Sequence, residues 1–261
     1  MEFIGLAAPL SPTGLQTVAD TLGVDLATVW AVATVETRSC GFFASRKPQI
    51  LFERHVFHRL TNGAFDAHPA LSNPTPGGYS DPSPDQYVRL EQAMALDESA
   101  ALRSASWGIG QVMGFNAAKA GFADAAAMVA AFMQGEDVQF QAAAQFIVAS
   151  DLASKLAKQD WAGYALGYNG SNYKENNYDD KLKLAHARFS AGPLPDLHTR
   201  AVQLALMLVG KLAASGIDGL FGNVTKQALQ SFQKDAGLPQ TGQPDDATVA
   251  ALIGKLGWHP V

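Results

Sequence analysis

The sequence predicts a mainly α-helical protein with a small β/loop region and a separate, smaller helical domain at the C-terminal end. Apolar residues recur at intervals of three and four along most of the chain, which is the spacing of amphipathic helices. Turn-forming residues are concentrated in one long stretch, 62–87, and a Pro- and Gly-containing break at 190–195 interrupts the helical pattern. We therefore expect one domain at 1–190, a linker at 191–197 and a second domain at 198–256.

Capping residues predict where the first two helices begin. Ser11 followed by Pro12 is typical of an N-cap and the first position of a helix. Asp25 is predicted to cap the next helix, which runs through an apolar stretch to Glu36. At about 3.6 residues per turn, Glu36 falls on the same face as an apolar stripe. That stripe consists of Leu26, Val29, Trp30 and Ala33.

Glu36 has two interpretations. Partial burial at the end of an apolar stripe would disfavour the charged carboxylate and raise its pKa, so that the group could donate a proton near neutral pH. Alternatively, Glu36 lies just past the end of the helix and faces water, as most Glu side chains do. The neighbouring residues alone leave both interpretations open.

The middle of the chain predicts a long loop followed by further helices. The stretch 62–87 contains the turn signals Asn62-Gly63 and Pro76-Gly77-Gly78, and a loop of this length in a compact domain is usually functional or disordered. Helices are expected to resume near 87–95. The segment 138–149 is apolar nearly all round and predicts a central buried helix. Two more helices are predicted at 161–168 and 178–189.

Composition excludes several classes of function. The net charge of −5 gives no basic footprint for nucleic acid and no reason to expect binding to an anionic membrane. A single cysteine, Cys40, excludes an internal disulfide and a multi-cysteine metal site. The N-terminal residues lack the positive region and the long apolar run that predict a signal peptide, and no apolar run is long enough to predict a transmembrane helix. We therefore expect a protein without membrane insertion.

The C-terminal region carries a specific motif. Asp218-Gly219 and Phe221-Gly222 predict a tight Gly-dependent turn, and Asn223 is predicted to cap the helix that follows. Together with Phe232-Gln233-Lys234, this pattern resembles the small three-helix peptidoglycan-binding domain of bacterial and phage wall hydrolases, over residues 198–253. The resemblance implies that Asp218 and Phe221 contact the cell wall, although the same residues could serve only to build the fold.

Three motifs in residues 1–190 resemble the goose-type lysozyme and soluble lytic transglycosylase group. They are Val35-Glu36-Thr37, Ser106-Trp107-Gly108-Ile109-Gly110-Gln111-Val112-Met113 and Gly167-Tyr168-Asn169-Gly170. That group has its catalytic Glu at the position of Glu36, usually followed by Ser, so Thr37 is a conservative departure. A more extensive resemblance, over 12–189, is to the N-acetylmuramidase family of phage endolysins. It is carried by 50–57, Gly77-Gly78-Tyr79, 104–108 and 168–173.

These resemblances imply a lysozyme-like α-helical catalytic domain that cleaves the β-1,4 bond between N-acetylmuramic acid and N-acetylglucosamine. Such cleavage needs an acid that protonates the departing oxygen, and Glu36 would be this general acid. A Glu whose pKa is raised by a hydrophobic pocket performs this role in lysozyme. Neutral hydrogen-bonding groups and aromatic rings would hold the sugars. The predicted substrate-binding residues are Ser106, Gln111, Tyr168, Asn169 and Tyr173.

A second catalytic carboxylate is less clearly indicated. Glu53 is the candidate, but its neighbour Arg54 could equally make it half of a structural ion pair. The substrate's own acetamido group could also replace a second carboxylate. His55 and His58 share a helix face with the right spacing for a metal site, yet no third ligand motif accompanies them, so we expect no metal and no cofactor.

The sequence therefore favours a monomeric muramidase that binds peptidoglycan glycan strands. A lytic transglycosylase, which would leave a 1,6-anhydro ring, uses the same residues. A non-catalytic wall-binding protein and a zinc peptidase are the alternatives from other classes. Without an export signal, an endolysin would accumulate in the host bacterial cytoplasm until a separate membrane lesion released it to the wall.

Overall fold

The computed structural model describes residues 2–36, 40–78 and 85–258. Within these ranges, only the backbone of Glu36 and Asn172 is described. The predicted Thr37 and Tyr79, and the side chain of Glu36, lie outside the described residues. Within them there are thirteen α-helices and one three-stranded sheet, which confirms the mainly α-helical prediction. The helices of the N-terminal part are α1 Pro12–Leu22, α2 Leu26–Glu36, α3 Arg54–Leu60, α4 Asp85–Met94, α5 Glu98–Arg103, α6 Ala125–Phe132, α7 Glu136–Ala149, α8 Ala153–Ala157, α9 Trp161–Asn169 and α10 Tyr178–Ala191.

Both predicted N-caps are confirmed. The Ser11 hydroxyl accepts a hydrogen bond from the Gly14 amide at 2.9 Å, and Pro12 is the first residue of α1. The Asp25 carboxylate accepts from the Thr28 amide at 2.8 Å at the start of α2. These local contacts satisfy amides that have no partner within the helix, so they fix where each helix begins.

Burial on α2 extends beyond the apolar stripe that the sequence shows. Every residue from 27 to 33 is buried, because α1 and α10 both pack against this helix. The rings of Trp30 on α2 and Phe189 on α10 lie 6.5 Å apart. Thr34 is exposed and Val35 is half-buried, so the last turn of α2 leaves the core just before the helix ends at Glu36.

The sheet lies beside these helices and consists of β1 Ile50–Phe52, β2 Ala105–Trp107 and β3 Val112–Met113. It is antiparallel in the order β1-β2-β3, with Ser106 opposite Leu51 on one side and Met113 on the other. The indole of Trp107 is buried and donates to the Leu102 carbonyl at 3.0 Å. The central strand is thereby anchored in the core.

Two arginines hold the described part of the long loop between α3 and α4. Arg54 donates to the Thr75 carbonyl at 3.1 Å, and Arg89 donates to the Ala70 carbonyl at 2.7 Å. The guanidinium of Arg54 also fills the space beside Gly78, where a Cβ would meet it at 2.3 Å. With a φ of +76°, this position favours glycine on both counts.

Helix α7 is central and largely buried, as predicted, but it is not apolar all round. Glu136 and Gln139 are buried polar residues on its first two turns, whereas Val148 is exposed. Since buried polar groups need hydrogen-bond partners, these two residues indicate specific contacts with neighbouring segments.

The C-terminal domain is a three-helix unit, as the resemblance implied. Its helices are α11 Leu197–Leu208, α12 Asn223–Asp235 and α13 Asp246–Leu256. Gly222 occupies the N-cap position of α12 and Asn223 is the first helical residue, so the predicted Asn223 cap is wrong by one residue. Val202, Leu206, Leu229, Phe232 and Leu252 are among the residues of its core.

The two domains pack against each other. Leu204, Met207 and Ile217 of the C-terminal domain form an apolar cluster with Cys40. The Trp258 indole donates to the Leu6 carbonyl at 2.8 Å. Between α10 and α11, Leu194 packs against the core of the N-terminal domain. The connecting segment is therefore bound to the surface of the protein.

No single helix among the described residues is long and apolar enough to cross a membrane. The pair formed by α1 and residues 26–35 of α2 meets the length and composition criteria together, but the two helices meet at a bend of 99°.

Candidate functional site

The end of α2 lies beside the turn between β2 and β3. Ala33 and Thr34 of α2 and Ile109 of the turn line one cavity, together with Trp30 and Phe189. The C-terminal domain closes another side of this cavity through Arg200, Ile217 and Asp218. The fold thus brings together two of the sequence motifs, the one around Glu36 and the one that begins at Ser106.

Ser106 and Gln111 are in direct contact. The Ser106 hydroxyl donates to Oε1 of Gln111 at 2.8 Å, and Nε2 of Gln111 donates to the Gly108 carbonyl at 2.9 Å. Gln111 has a φ of +47°, which is unfavourable for a residue with a side chain. The side-chain contacts of Gln111 hold the turn in this conformation.

Gln139 of α7 holds the same turn through its side-chain amide. Its Oε1 accepts from the Ile109 amide at 2.8 Å, and its Nε2 donates to the Phe132 carbonyl at 2.9 Å. Gly108 has a φ of +68°, and a Cβ there would approach Gln139 to 2.7 Å. The glycine of the Ser-Trp-Gly motif is therefore required for both conformation and space.

Tyr168 joins the cluster from α9. Its hydroxyl donates to the Gly110 carbonyl at 2.7 Å, and its ring stacks on Tyr164 at a centroid distance of 5.3 Å. Asn169 follows it as the last residue of α9 and is half-buried. Ser106, Gln111 and Tyr168 are thus held around one turn. Tyr173 is only 8% exposed, so most of its ring lies in the core rather than at a surface.

Glu53 lies directly after β1, where its amide donates to the Ser104 carbonyl at 2.9 Å. Oε2 of Glu53 is 3.2 Å from Nδ1 of His55. Arg54, the ion-pair partner that the sequence suggested, instead donates to loop carbonyls. Within the described residues, no three His, Cys, Asp or Glu side chains lie close enough together to hold a metal ion.

His58, the other histidine considered as a metal ligand, has a different partner. Its Nδ1 is 2.8 Å from Oδ1 of Asp66, which also accepts from the Ser72 hydroxyl at 2.6 Å. The hydrogen bonds from His58 and Ser72 lower the pKa of Asp66. The carboxylate thus fastens the long loop to α3.

The segment after Glu36 is described from Cys40 onward, and it is tightly packed. The Gly41 amide donates to Oε1 of Glu136 at 2.9 Å, and a Cβ at Gly41 would meet Gln139 at 1.8 Å. Burial, followed by the nearby Glu136 carboxylate, raises the pKa of the Cys40 thiol to about 11. Cys40 is therefore protonated at neutral pH and unsuited to nucleophilic chemistry.

Arg200 of α11 binds the same Glu136 carboxylate through both terminal nitrogens. Burial opposes the charge of this guanidinium, but the Glu136 carboxylate raises the pKa of Arg200 above its usual range. Arg200 therefore stays charged inside the protein, at the boundary between the two domains.

The predicted wall-binding residues have different surroundings. Oδ1 of Asp218 accepts from Nε2 of Gln203 and from the Leu220 amide, each at 2.9 Å, so this carboxylate builds the turn. Phe221 is 43% exposed and borders a surface pocket of about 390 Å³. Gly222 and Asn223, at the start of α12, line the same pocket.

Sequence reasoning missed the buried polar residues that support the site. Gln139 lies in the segment 138–149 that appears apolar, Glu136 lies just before it, and Arg200 looks like an ordinary surface residue of a helix. Gln203 is also buried and accepts from the Asp218 and Gly219 amides at 3.0 and 2.8 Å. A signal was present, because a charged or amide side chain within an apolar helical pattern is usually paired if it is buried.

Comparisons with known proteins identify both parts of the chain. Residues 25–190 match the N-acetylmuramidase family, and residues 198–252 match a peptidoglycan-binding domain. The crystal structure of the Burkholderia AP3 phage endolysin is similar, with a TM-score of 0.64 and 39% identity over 69% of this chain and 70% of that chain. A search of curated proteins found no match. The chain therefore belongs to the N-acetylmuramidase family and carries a peptidoglycan-binding domain after its muramidase domain.

Proposed function

We propose that this protein is an endolysin that hydrolyses the β-1,4 bond between N-acetylmuramic acid and N-acetylglucosamine, with Glu36 as the general acid. Its family makes it a peptidoglycan-cleaving glycosidase. The assignment of Glu36 as the general acid is supported by its position. It is the last residue of a buried helix, which ends beside the turn that holds Ser106, Gln111 and Tyr168. In this mechanism the acid protonates the departing oxygen as positive charge develops on the sugar.

The neutral side chains around the turn would orient the substrate. The amide of Gln111 and the hydroxyl of Ser106 can exchange hydrogen bonds with sugar hydroxyl and acetamido groups, and Asn169 extends this polar surface. Since Tyr168 is fixed by its hydrogen bond to Gly110, its ring offers a preorganised edge for a sugar. Tyr173 would support this wall from the core side.

Glu53 is the proposed second carboxylate, which would activate water or stabilise the oxocarbenium-like transition state. Its position directly after β1, next to Ser104, supports this role. Nδ1 of His55 lies 3.2 Å from Oε2 of Glu53. The other candidate outcome is a lytic transglycosylase, which needs no water and no second carboxylate. This outcome is favoured by the fact that Ser106 and Gln111 are both uncharged, so neither of them supplies a second carboxylate.

Product analysis tests the proposed bond specificity. Purified peptidoglycan is digested, the new ends are reduced with borohydride, and the fragments are analysed by mass spectrometry. We expect reduced N-acetylmuramic acid at the new ends. Reduced N-acetylglucosamine would contradict the muramidase assignment, and fragments lighter by one water would indicate the transglycosylase. Undigested peptidoglycan would point to a wall-binding protein without activity.

The C-terminal domain is proposed to hold the enzyme on the wall. We expect residues 1–190 to be the catalytic domain, 191–197 the connection and 198–256 the binding domain of a monomer. The exposed Phe221 ring and the amides at the start of α12 offer apolar and hydrogen-bonding contacts to sugar and peptide groups. Such an endolysin would stay in the host cytoplasm until it is released to the wall.

Phe221→Ala is expected to weaken binding to peptidoglycan roughly tenfold, because it removes the aromatic ring that borders the pocket. Pelleting the protein with insoluble sacculi measures this binding. Ala substitution of Leu184, an exposed apolar residue on α10 outside the pocket, is the matched control and should leave binding unchanged. Equal binding by the Phe221 variant and the wild type would contradict the proposed site.

A further inference from the structure

The carboxylate of Glu136 joins three distant parts of the chain. Oε2 accepts from the Leu10 amide at 3.0 Å and from Nη1 of Arg200. Oε1 accepts from the Gly41 amide and from Nη2 of Arg200, each at 2.9 Å. Glu136 is also the first residue of α7, where the helix dipole favours a negative charge. One carboxylate therefore connects the N-terminal segment, the chain after Glu36 and the wall-binding domain.

This contact is sealed from solvent. The side chain of Arg200 is 2% exposed and that of Glu136 is 0% exposed. A buried guanidinium that binds a carboxylate through two nitrogens fixes direction as well as distance. If either partner is removed, the other is left as an uncompensated buried charge. The position of α11 relative to α7 is therefore strongly specified.

The same helix α11 covers the chain that follows Glu36. Cys40 is 1% exposed and packs against Leu204 and Met207 of α11 and against Ile217. Gly41, the next residue, is held by Glu136. Cys40 and Gly41 follow Glu36 by only four and five positions. The wall-binding domain thus contacts the chain where its description resumes, four residues after Glu36.

The C-terminal domain also lies close to the last turns of α2. Arg200, Ile217 and Asp218 line the same cavity as Ala33 and Thr34, which precede Glu36 on the last turns of α2. The C-terminal domain therefore lies against the chain on both sides of Glu36. A domain that served only as a tether would have no need for these contacts.

We propose that Arg200 is a positioning residue for glycan cleavage. Its ion pair with Glu136 docks the wall-binding domain and thereby fixes the chain on both sides of Glu36. This inference rests on the proposed function of Glu36 as the general acid. It makes the C-terminal domain part of the catalytic unit as well as a means of attachment. Loss of the ion pair would let the acid shift, and a displacement of about 1 Å can cost about 100-fold in rate.

The test compares full-length variants on soluble, uncross-linked glycan strands, so that attachment to an insoluble wall does not contribute. Arg200→Ala removes the ion pair, and Arg200→Lys keeps the charge but loses the two-nitrogen contact. Asp235→Asn is the control, because it removes an exposed ion pair with Lys211 inside the same domain and away from Glu136. Values of kcat and KM are expressed per folded molecule, with the folded fraction measured by near-UV circular dichroism.

Alkylation of Cys40 by iodoacetamide reports docking independently of activity. Cys40 is the only cysteine in the chain, so the label reports one site. For Arg200→Ala we expect labelling at least ten times faster than in the wild type. We also expect kcat to fall roughly ten- to 100-fold with little change in KM. Arg200→Lys should give intermediate values, and Asp235→Asn should match the wild type in both measurements.

The inference is overturned if Arg200→Ala labels quickly but keeps the wild-type kcat per folded molecule, since the domain would then have undocked without consequence. It is also overturned if the labelling rate stays at the wild-type value. If Arg200→Ala does not fold, the Lys variant decides by the same two measurements. A wild-type chain that leaves the glycan intact would overturn the proposed function, and this inference with it.

Discussion

Replacing Glu36 by Gln is expected to abolish cleavage of peptidoglycan and to leave binding to the wall intact. The amide has nearly the shape of the carboxyl group but cannot donate a proton to the departing oxygen. Since general acid catalysis typically contributes about 10²- to 10⁴-fold, the rate should fall by at least about 100-fold. Release of soluble fragments from purified sacculi measures cleavage, and pelleting with sacculi measures binding.

A Glu-to-Gln substitution at an exposed position away from the site distinguishes the loss of the proton donor from the mere loss of one negative charge. Glu98 is exposed on the first turn of α5, so Glu98→Gln is a matched control that should retain wild-type activity. If Glu36→Gln also retains activity close to that of the wild type, Glu36 is not the acid. In that case Glu53 would be the next carboxylate to replace.

The second large effect is a loss of folding stability in the Glu136→Ala variant. Glu136→Ala leaves the buried Arg200 guanidinium without its counter-ion and removes the acceptor for the Leu10 and Gly41 amides. Breaking a buried pair in this way costs about 3–5 kcal/mol in the free energy of unfolding. For a chain of this size, that loss corresponds to a fall in Tm of roughly 10 °C. Thermal and urea unfolding measure both quantities.

An exposed ion pair provides the comparison. Lys211 and Asp235 form a surface pair in the C-terminal domain, and such pairs contribute about 0–1 kcal/mol. Asp235→Ala should therefore change the Tm by only a few degrees. A Glu136→Ala variant that is as stable as Asp235→Ala would show that the contact between the domains does not contribute to folding.

The helices could be predicted because the signals that define them are local. Ser11, Pro12 and Asp25 act within one turn of their own helix, so their roles follow from adjacent residues. The face that a helix buries depends instead on what packs against it. The sequence of α2 shows one apolar stripe that leads to Glu36, but α1 and α10 both pack against the helix, and neither contact is encoded within its own residues.

The candidate site was predicted in part. Ser106 and Gln111 are five positions apart, and their hydrogen bond forms within one strand and turn. The contact of Tyr168 with Gly110 spans 58 residues and could be anticipated only from resemblance. For Arg200 and Glu136, 64 residues apart, no sequence motif indicated a pair. Their interaction depends on how two domains pack, which residue spacing does not specify.

Digestion in ¹⁸O-labelled water, with the wild type and Glu36→Gln compared side by side, tests the central claim most directly. A hydrolase transfers the labelled oxygen to the new reducing end, whereas intramolecular attack by the muramic 6-hydroxyl takes no oxygen from water. We predict ¹⁸O-labelled N-acetylmuramic acid at every new end with the wild type, and labelled ends formed at least about 100-fold more slowly with Glu36→Gln. Unlabelled anhydro ends with the wild type, or labelled ends formed by the variant at close to the wild-type rate, would contradict hydrolysis by Glu36.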